Sequence, residues 1–105
     1  MKTFSERVVE LVLSIPKGRV TTYGRIARAA GGGTMASQST TSILGKAYDS
    51  GVTDIPFHRI VYANGRIWIN ERRRKERMQL YKKEGIAIDK NDRIQDFKKV
   101  VVEFS

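Results

Sequence analysis

The sequence predicts a mainly helical domain, α/β in the broad sense: a winged-helix-like helix-turn-helix domain with a small β hairpin. Three observations predict it. Apolar residues recur at helical spacing behind an N-terminal capping box, two short helical segments flank a triple glycine, and past Gly51 the apolar period shortens around an Asn-Gly pair.

Thr3 and Glu6 stand at T-x-x-E spacing, which satisfies the free amides of a first helical turn. Phe4, Val8, Leu11, Val12 and Ile15 follow as one apolar stripe, so a first helix is expected from about Thr3 to Ser14. Ile15-Pro16 closes it, because the residue before proline is pushed out of the helical region. Thr21 to Ala30 reads as a second short helix with a threonine cap and Ile26 inward. Gly31-Gly32-Gly33 ends it. A third helix is expected between about Ser39 and Asp49, carrying Ile43, Leu44, Ala47 and Tyr48; Thr40 and Thr41 oppose it as poor interior residues. Its small hydroxyl side chains permit close approach to a phosphate backbone.

Ile60-Val61-Tyr62 and Arg66-Ile67-Trp68-Ile69 flank Ala63-Asn64-Gly65, a turn sequence that supplies left-handed conformations, so these runs are expected to pair as a hairpin. From Glu71 to Lys83 a further helix is expected, with seven bases to two acids, Met78 and Tyr81 as anchors and Gly85 as its stop. Ile94, Phe97, Val100, Val101, Val102 and Phe104 make the tail too apolar for solvent; it is expected to dock as a strand or a short helix. Residues 1–105 show neither a repeat nor a linker and read as a single domain.

The charge balance narrows the partners. Twenty Lys plus Arg against 11 Asp plus Glu give a formal +9 in 105 residues, which favours a polyanion, nucleic acid first. Zero cysteines exclude disulfides, a thiolate nucleophile and every cysteine-containing metal site. With one histidine and no HExxH spacing, neither a metal nor a cofactor is expected. Glu6 and Glu10 interrupt the N-terminal apolar stretch and no long apolar window exists, so a soluble cytoplasmic chain without membrane association is expected.

The segment Asp54-Ile55-Pro56-Phe57-His58-Arg59-Ile60 is the most unusual. Pro56 fixes its own φ and restricts Ile55, so the loop can present an aromatic ring, an imidazole and a guanidinium in fixed places for stacking, hydrogen bonding and phosphate contact. The plainer reading makes Phe57 core, satisfies His58 locally and pairs Arg59 with an acid. As a general base His58 lacks an identifiable nucleophile, and no GxSxG elbow is present. Tyr23 stands at a helix N-terminus, whose free amides attract phosphate. Trp68 is either a stacking residue or, as the third residue of a strand, a packed one.

Ile15-Pro16-Lys17-Gly18-Arg19-Val20-Thr21-Thr22-Tyr23-Gly24-Arg25-Ile26-Ala27, then Pro56-Phe57-His58-Arg59-Ile60-Val61, Gly65 and Lys83-Glu84-Gly85 resemble the DNA-binding domain of O6-alkylguanine-DNA alkyltransferases. The resemblance covers roughly Phe4 to Ile88 and leaves 89–105 as a family-variable extension. Those enzymes place a nucleophilic cysteine between the proline and the histidine, where this chain has Phe57, so alkyl transfer by their mechanism is excluded. What remains resembles the alkyltransferase-like proteins, which usually carry tryptophan there, bind alkylated guanine without dealkylating it and hand the lesion to nucleotide excision repair.

The resemblance implies a third helix in the minor groove of double-stranded DNA and a base rotated out beside the loop. The DNA-facing residues it implies are Thr22, Tyr23, Gln38, Ser39, Ser42, Lys46 and Arg59, with Tyr23 turning the nucleotide. It implies an alkylguanine pocket of Tyr23, Pro56, Phe57, His58, Trp68 and Ile69, organised by His58, Arg59 and Glu84. Ser42 stands where the family inserts an arginine finger, and Trp68, Ile69 and Glu71 replace smaller or more polar pocket-side residues. The expected function is non-enzymatic binding of O6-alkylguanine DNA by a monomer at the nucleoid, flagging lesions for nucleotide excision repair proteins. The alternatives are a general or architectural DNA-binding module without lesion specificity and, from another class, an enzyme using His58.

Overall fold

The computed structural model describes residues 2–32 and 36–104, with backbone alone for 36–38. Helix α1 spans Phe4–Leu13; Thr3 is extended before it and its hydroxyl accepts from the Glu6 amide at 3.1 Å while donating to the Glu6 carboxylate. Strand β1, Thr21–Thr22, runs directly into α2, Tyr23–Ala29, and the Thr22 hydroxyl caps that helix by accepting from the Arg25 amide at 3.2 Å. Beyond α2, Gly31 takes φ +93° and the Gly32 amide returns to the Ala27 carbonyl; Gly33 lies outside the described residues.

Helix α3 is Ala36–Asp49, three residues longer at its start than its sequence suggests. Thr40 is fully buried and Leu44 nearly so. Packing of that face against α1 and α2 outweighs the small propensity deficit of the threonines.

The Asn64-Gly65 turn forms, with Gly65 at φ +83° and the Tyr62 amide donating to the Arg66 carbonyl at 2.9 Å. Its flanks do not pair as a regular hairpin. Strand β2, Ile60–Val61, instead lies parallel to β1, with Thr21 opposite Ile60 and Thr22 opposite Val61. The other arm is taken by the tail: Arg66 bridges Arg93, and the Ile67 amide donates to the Asp92 carbonyl. Local periodicity marks extended segments but carries no information about partners distant in the chain.

The charged helix opens as a 3-10 turn, Glu71–Arg73, capped by Asn70 Oδ1, and continues as α4, Arg74–Lys83. The tail docks as both expected forms, a short helix α5, Phe97–Val100, and a parallel bridge between Val101 and Val20. Arg19 secures it by donating to the Val100 and Val101 carbonyls at 2.9 Å each.

Two apolar clusters meet at the sheet. Val8 and Val12 of α1, Ile26 of α2 and Leu44 of α3 form one with Ile60; Val20, Val61, Ile67, Tyr81 and Ile94 form the other. Adjacent residues of β2 therefore serve opposite cores, as a strand's period of two requires. No helix among the described residues is long and apolar enough to cross a membrane.

Candidate nucleic-acid interface

Pro56, buried at φ −82°, leads into a 3-10 turn over Phe57–Arg59, closed by the Arg59 amide donating to the Pro56 carbonyl. At three residues per turn, successive side chains leave about 120° apart. Phe57 points to the first core and a cavity beside it, while His58 and Arg59 turn inward to Glu84.

Glu84 is the hub. Its Oε2 lies 2.6 Å from His58 Nε2 and 2.9 Å from Arg59 Nη2, and its Oε1 accepts from Arg59 Nε at 3.0 Å and the Gly18 amide at 3.2 Å. Arg59 Nη1 donates to the Ile15 carbonyl, tying the loop to the segment that follows α1. Burial raises the Glu84 carboxyl, but hydrogen bonds from Arg59, His58 and Gly18 outweigh it and hold its pKa at about 2. A carboxylate only accepts, so His58 Nε2 carries a proton towards it.

The cavity beside the loop has a volume of about 740 Å³. Tyr23 from the start of α2, Thr41 of α3, Phe57, Tyr62 and Trp68 form its walls, and Asn70, Arg73 and Arg77 close the side towards α4. Tyr23 and Tyr62 rings stand 6.2 Å apart, and Tyr48 of α3 meets Phe57 edge-on at 6.0 Å. Burial and the neighbouring Tyr62 raise the Tyr23 phenol above its ordinary pKa against the pull of Arg77, so it keeps its proton at neutral pH. Tyr81 packs behind His58 with its ring edge-on at 5.9 Å; burial pushes its phenol up to about 12.

The structure thus gathers Tyr23, Phe57 and Trp68 of the expected pocket around one cavity. Pro56 and His58 stand behind its wall. Ile69 packs on the second core and borders a different depression, because the chain from Gly65 onward is drawn towards the tail. Trp68, which the strand reading packs away, is 48% exposed: without a hairpin ladder it is released to the cavity rim, where the Arg77 guanidinium stands 5.9 Å from its ring. Thr22 is buried as the α2 cap, and Arg59 has Nε, Nη1 and Nη2 all committed inside, which gives it the organising part of its expected roles.

On α3, Ser39, Ser42 and Lys46 are exposed, and the side chain of Gln38 lies outside the described residues. Ser42 stands in the second turn rather than at the helix start, since α3 begins at Ala36. Sequence reasoning missed Thr41, Tyr62, Asn70, Arg73 and Arg77 as cavity residues; the i, i+4 spacing of Arg73 and Arg77 was the available signal for the last two.

A compact helix pair ending in an exposed, hydroxyl-rich third helix, beside an aromatic cavity and a buried His-Glu-Arg cluster, defines a helix-turn-helix domain of the nucleic-acid-binding class. The family model for the 6-O-methylguanine DNA methyltransferase DNA-binding domain matches residues 3–86, and the chain belongs to that family. The DNA base-flipping protein of Escherichia coli (strain K12) is 34% identical over 92 residues, 88% of this chain and 69% of that protein. Alkyltransferase-like protein 1 of Schizosaccharomyces pombe (strain 972 / ATCC 24843) is 34% identical over 95 residues, 84% of this chain and 81% of its own length. The crystal structure of Schizosaccharomyces pombe Atl1 in complex with damaged DNA containing O6-carboxymethylguanine shares the fold at TM-score 0.75 and 23% identity, over 98% of this chain and 99% of that one. A second structure of that organism's protein with DNA superposes at 0.62 with 26% identity, over 98% and 99% of the two chains.

Proposed function

We propose that this chain is a non-enzymatic sensor of O6-alkylguanine in double-stranded DNA that docks α3 in the minor groove and receives the everted base in the Tyr23–Phe57–Trp68 cavity. The observation that carries this reading is Phe57: it occupies the place between Pro56 and His58 and forms the cavity wall, while the chain contains zero cysteines. The His58–Glu84–Arg59 cluster that would serve a nucleophile there instead holds the wall in place. The names and DNA complexes of the relatives support the same assignment.

Eversion costs several kcal/mol for an intact pair and less for a damaged one, and stacking on an aromatic wall returns about 1–3 kcal/mol. The cavity therefore needs only a modest difference to enrich lesions. Phosphate contacts from Tyr23 and the exposed face of α3 supply affinity, and flagged lesions pass to excision repair proteins in the cytoplasm. The test is the ratio of affinities for an O6-methylguanine duplex and its guanine counterpart at one salt concentration, with mass analysis of the recovered base. A ratio well above one with the alkyl group retained is expected. A ratio of one assigns the chain to general DNA binding, and loss of the alkyl group makes it an enzyme.

A further inference from the structure

The cavity is larger and more cationic than one everted base requires. At about 740 Å³ it falls in the upper part of the range that takes whole drug-sized ligands. Tyr23 and Phe57 form its inner wall, yet two more aromatic rings, Tyr62 and Trp68, stand on its rim with 43% and 48% of their surfaces open. Single exposed aromatics are ordinary; two on the rim of one cavity form a stacking platform.

The guanidiniums beside that platform are available to an anion. Arg25, Arg59 and Arg74 are each engaged by a carboxylate: Glu103, Glu84, and Asp92 with Glu71. Arg73 and Arg77, the two that line the cavity, have no carboxylate partner among the described residues. Two guanidiniums left without anions beside two open rings match the two halves of a nucleotide, phosphate and base.

Resting on the one-base reading above, we propose that the outer half of the cavity is a second nucleotide subsite: a neighbouring unpaired base stacks on Trp68 and Tyr62, and its phosphate is held by Arg73 and Arg77. Arg77 already faces Trp68 at 5.9 Å, so it can keep that ring in place while its remaining donors meet the phosphate. The ligand class is DNA with two consecutive extrahelical nucleotides.

The experiment compares duplexes with one or two bulged adenines for the wild type and for R73Q/R77Q, at one salt concentration, alongside the O6-carboxymethylguanine, O6-methylguanine and guanine duplexes. Wild type is expected to bind the two-nucleotide bulge about tenfold more tightly than the one-nucleotide bulge, the gain of one stacked base. Emission from Trp68, the one tryptophan of the chain, should be quenched further by the second adenine. In the double variant the two-to-one ratio should fall below about threefold, since a general loss of charge cancels in the ratio. Should the double variant not fold, R73Q alone, at an exposed position, carries the test.

A wild-type ratio near one, or a ratio unchanged in the variant, overturns the subsite. So does a preference for O6-carboxymethylguanine over O6-methylguanine that disappears in the variant without any two-nucleotide gain, because the guanidiniums would then serve the adduct. The lesion duplexes keep the readings apart. A lesion ratio of one with the bulge gain intact fails the one-base assignment alone, and the reverse fails only the second subsite.

Discussion

Replacing Glu84 with glutamine tests the cluster behind the cavity wall. The side chain keeps its shape but loses its charge, and one of its two terminal atoms becomes a donor facing donors. Glu84 accepts from Arg59 at 2.9 and 3.0 Å, from the Gly18 amide at 3.2 Å, and meets His58 at 2.6 Å. Its side chain is 8% exposed and that of Arg59 14%, so water replaces these bonds poorly. Removing one partner of a buried ion pair costs about 3–5 kcal/mol. Partial retention of hydrogen bonds by the amide sets the expectation at the lower end, about 3 kcal/mol. For a domain of this size each kcal/mol lowers Tm by about 4–8 °C, so a fall of at least about 12 °C is expected.

The pH dependence gives a second, independent reading. The Glu84 pKa falls from an ordinary 4.5 to about 2 on folding, so the unfolded chain binds the proton more readily. The stabilisation is complete above pH 4.5 and disappears as pH falls to about 2. Urea unfolding followed by circular dichroism should therefore show a steeper acid loss in wild type than in Glu84→Gln across that window. A loss under about 1 kcal/mol at neutral pH, or parallel acid slopes in the two proteins, would refute the hub assignment.

Tyr23→Phe should weaken binding of an O6-methylguanine duplex about tenfold and a guanine duplex less, if the hydroxyl supports eversion; equal losses in a paired titration would make it a general docking residue. Gly65→Ala should destabilise by about 1–3 kcal/mol in urea unfolding, because Gly65 holds φ +83° and an added Cβ would stand 3.3 Å from Phe97 Cγ. A neutral result would refute both the left-handed strain at this position and the close contact with Phe97. Ser42→Arg adds a cation to the exposed second turn of α3, so titrations should show all duplexes bound more tightly and the lesion ratio unchanged. A raised ratio would instead make position 42 the inserting finger.

The α1 start was legible because a cap is a bond between residues three apart, and Thr3 with Glu6 forms it as the spacing requires. The same holds for the Thr22 cap of α2 and the turn at Gly65. Ile60 and Val61 were recognisable as extended, but their partner was not, since β1 lies almost forty residues away and nothing in either segment's own pattern names the other. The Arg59 guanidinium read equally well as a phosphate ligand or a buried partner; only the position of Glu84, 25 residues on, settled its direction.

The amino-acid order by itself determined the helix limits set by caps and glycines, the basic charge, the aromatic loop residue and the lack of a reactive sulfur. These are properties of composition or of contacts within a turn or two. Tertiary structure decided which rings share a cavity, that Trp68 stands at its rim while Ile69 does not, and that Arg73 and Arg77 reach it without acidic partners. That division follows from the physics: local bonds form wherever the right residues are neighbours, whereas a cavity exists only after distant segments have packed and left a gap between them.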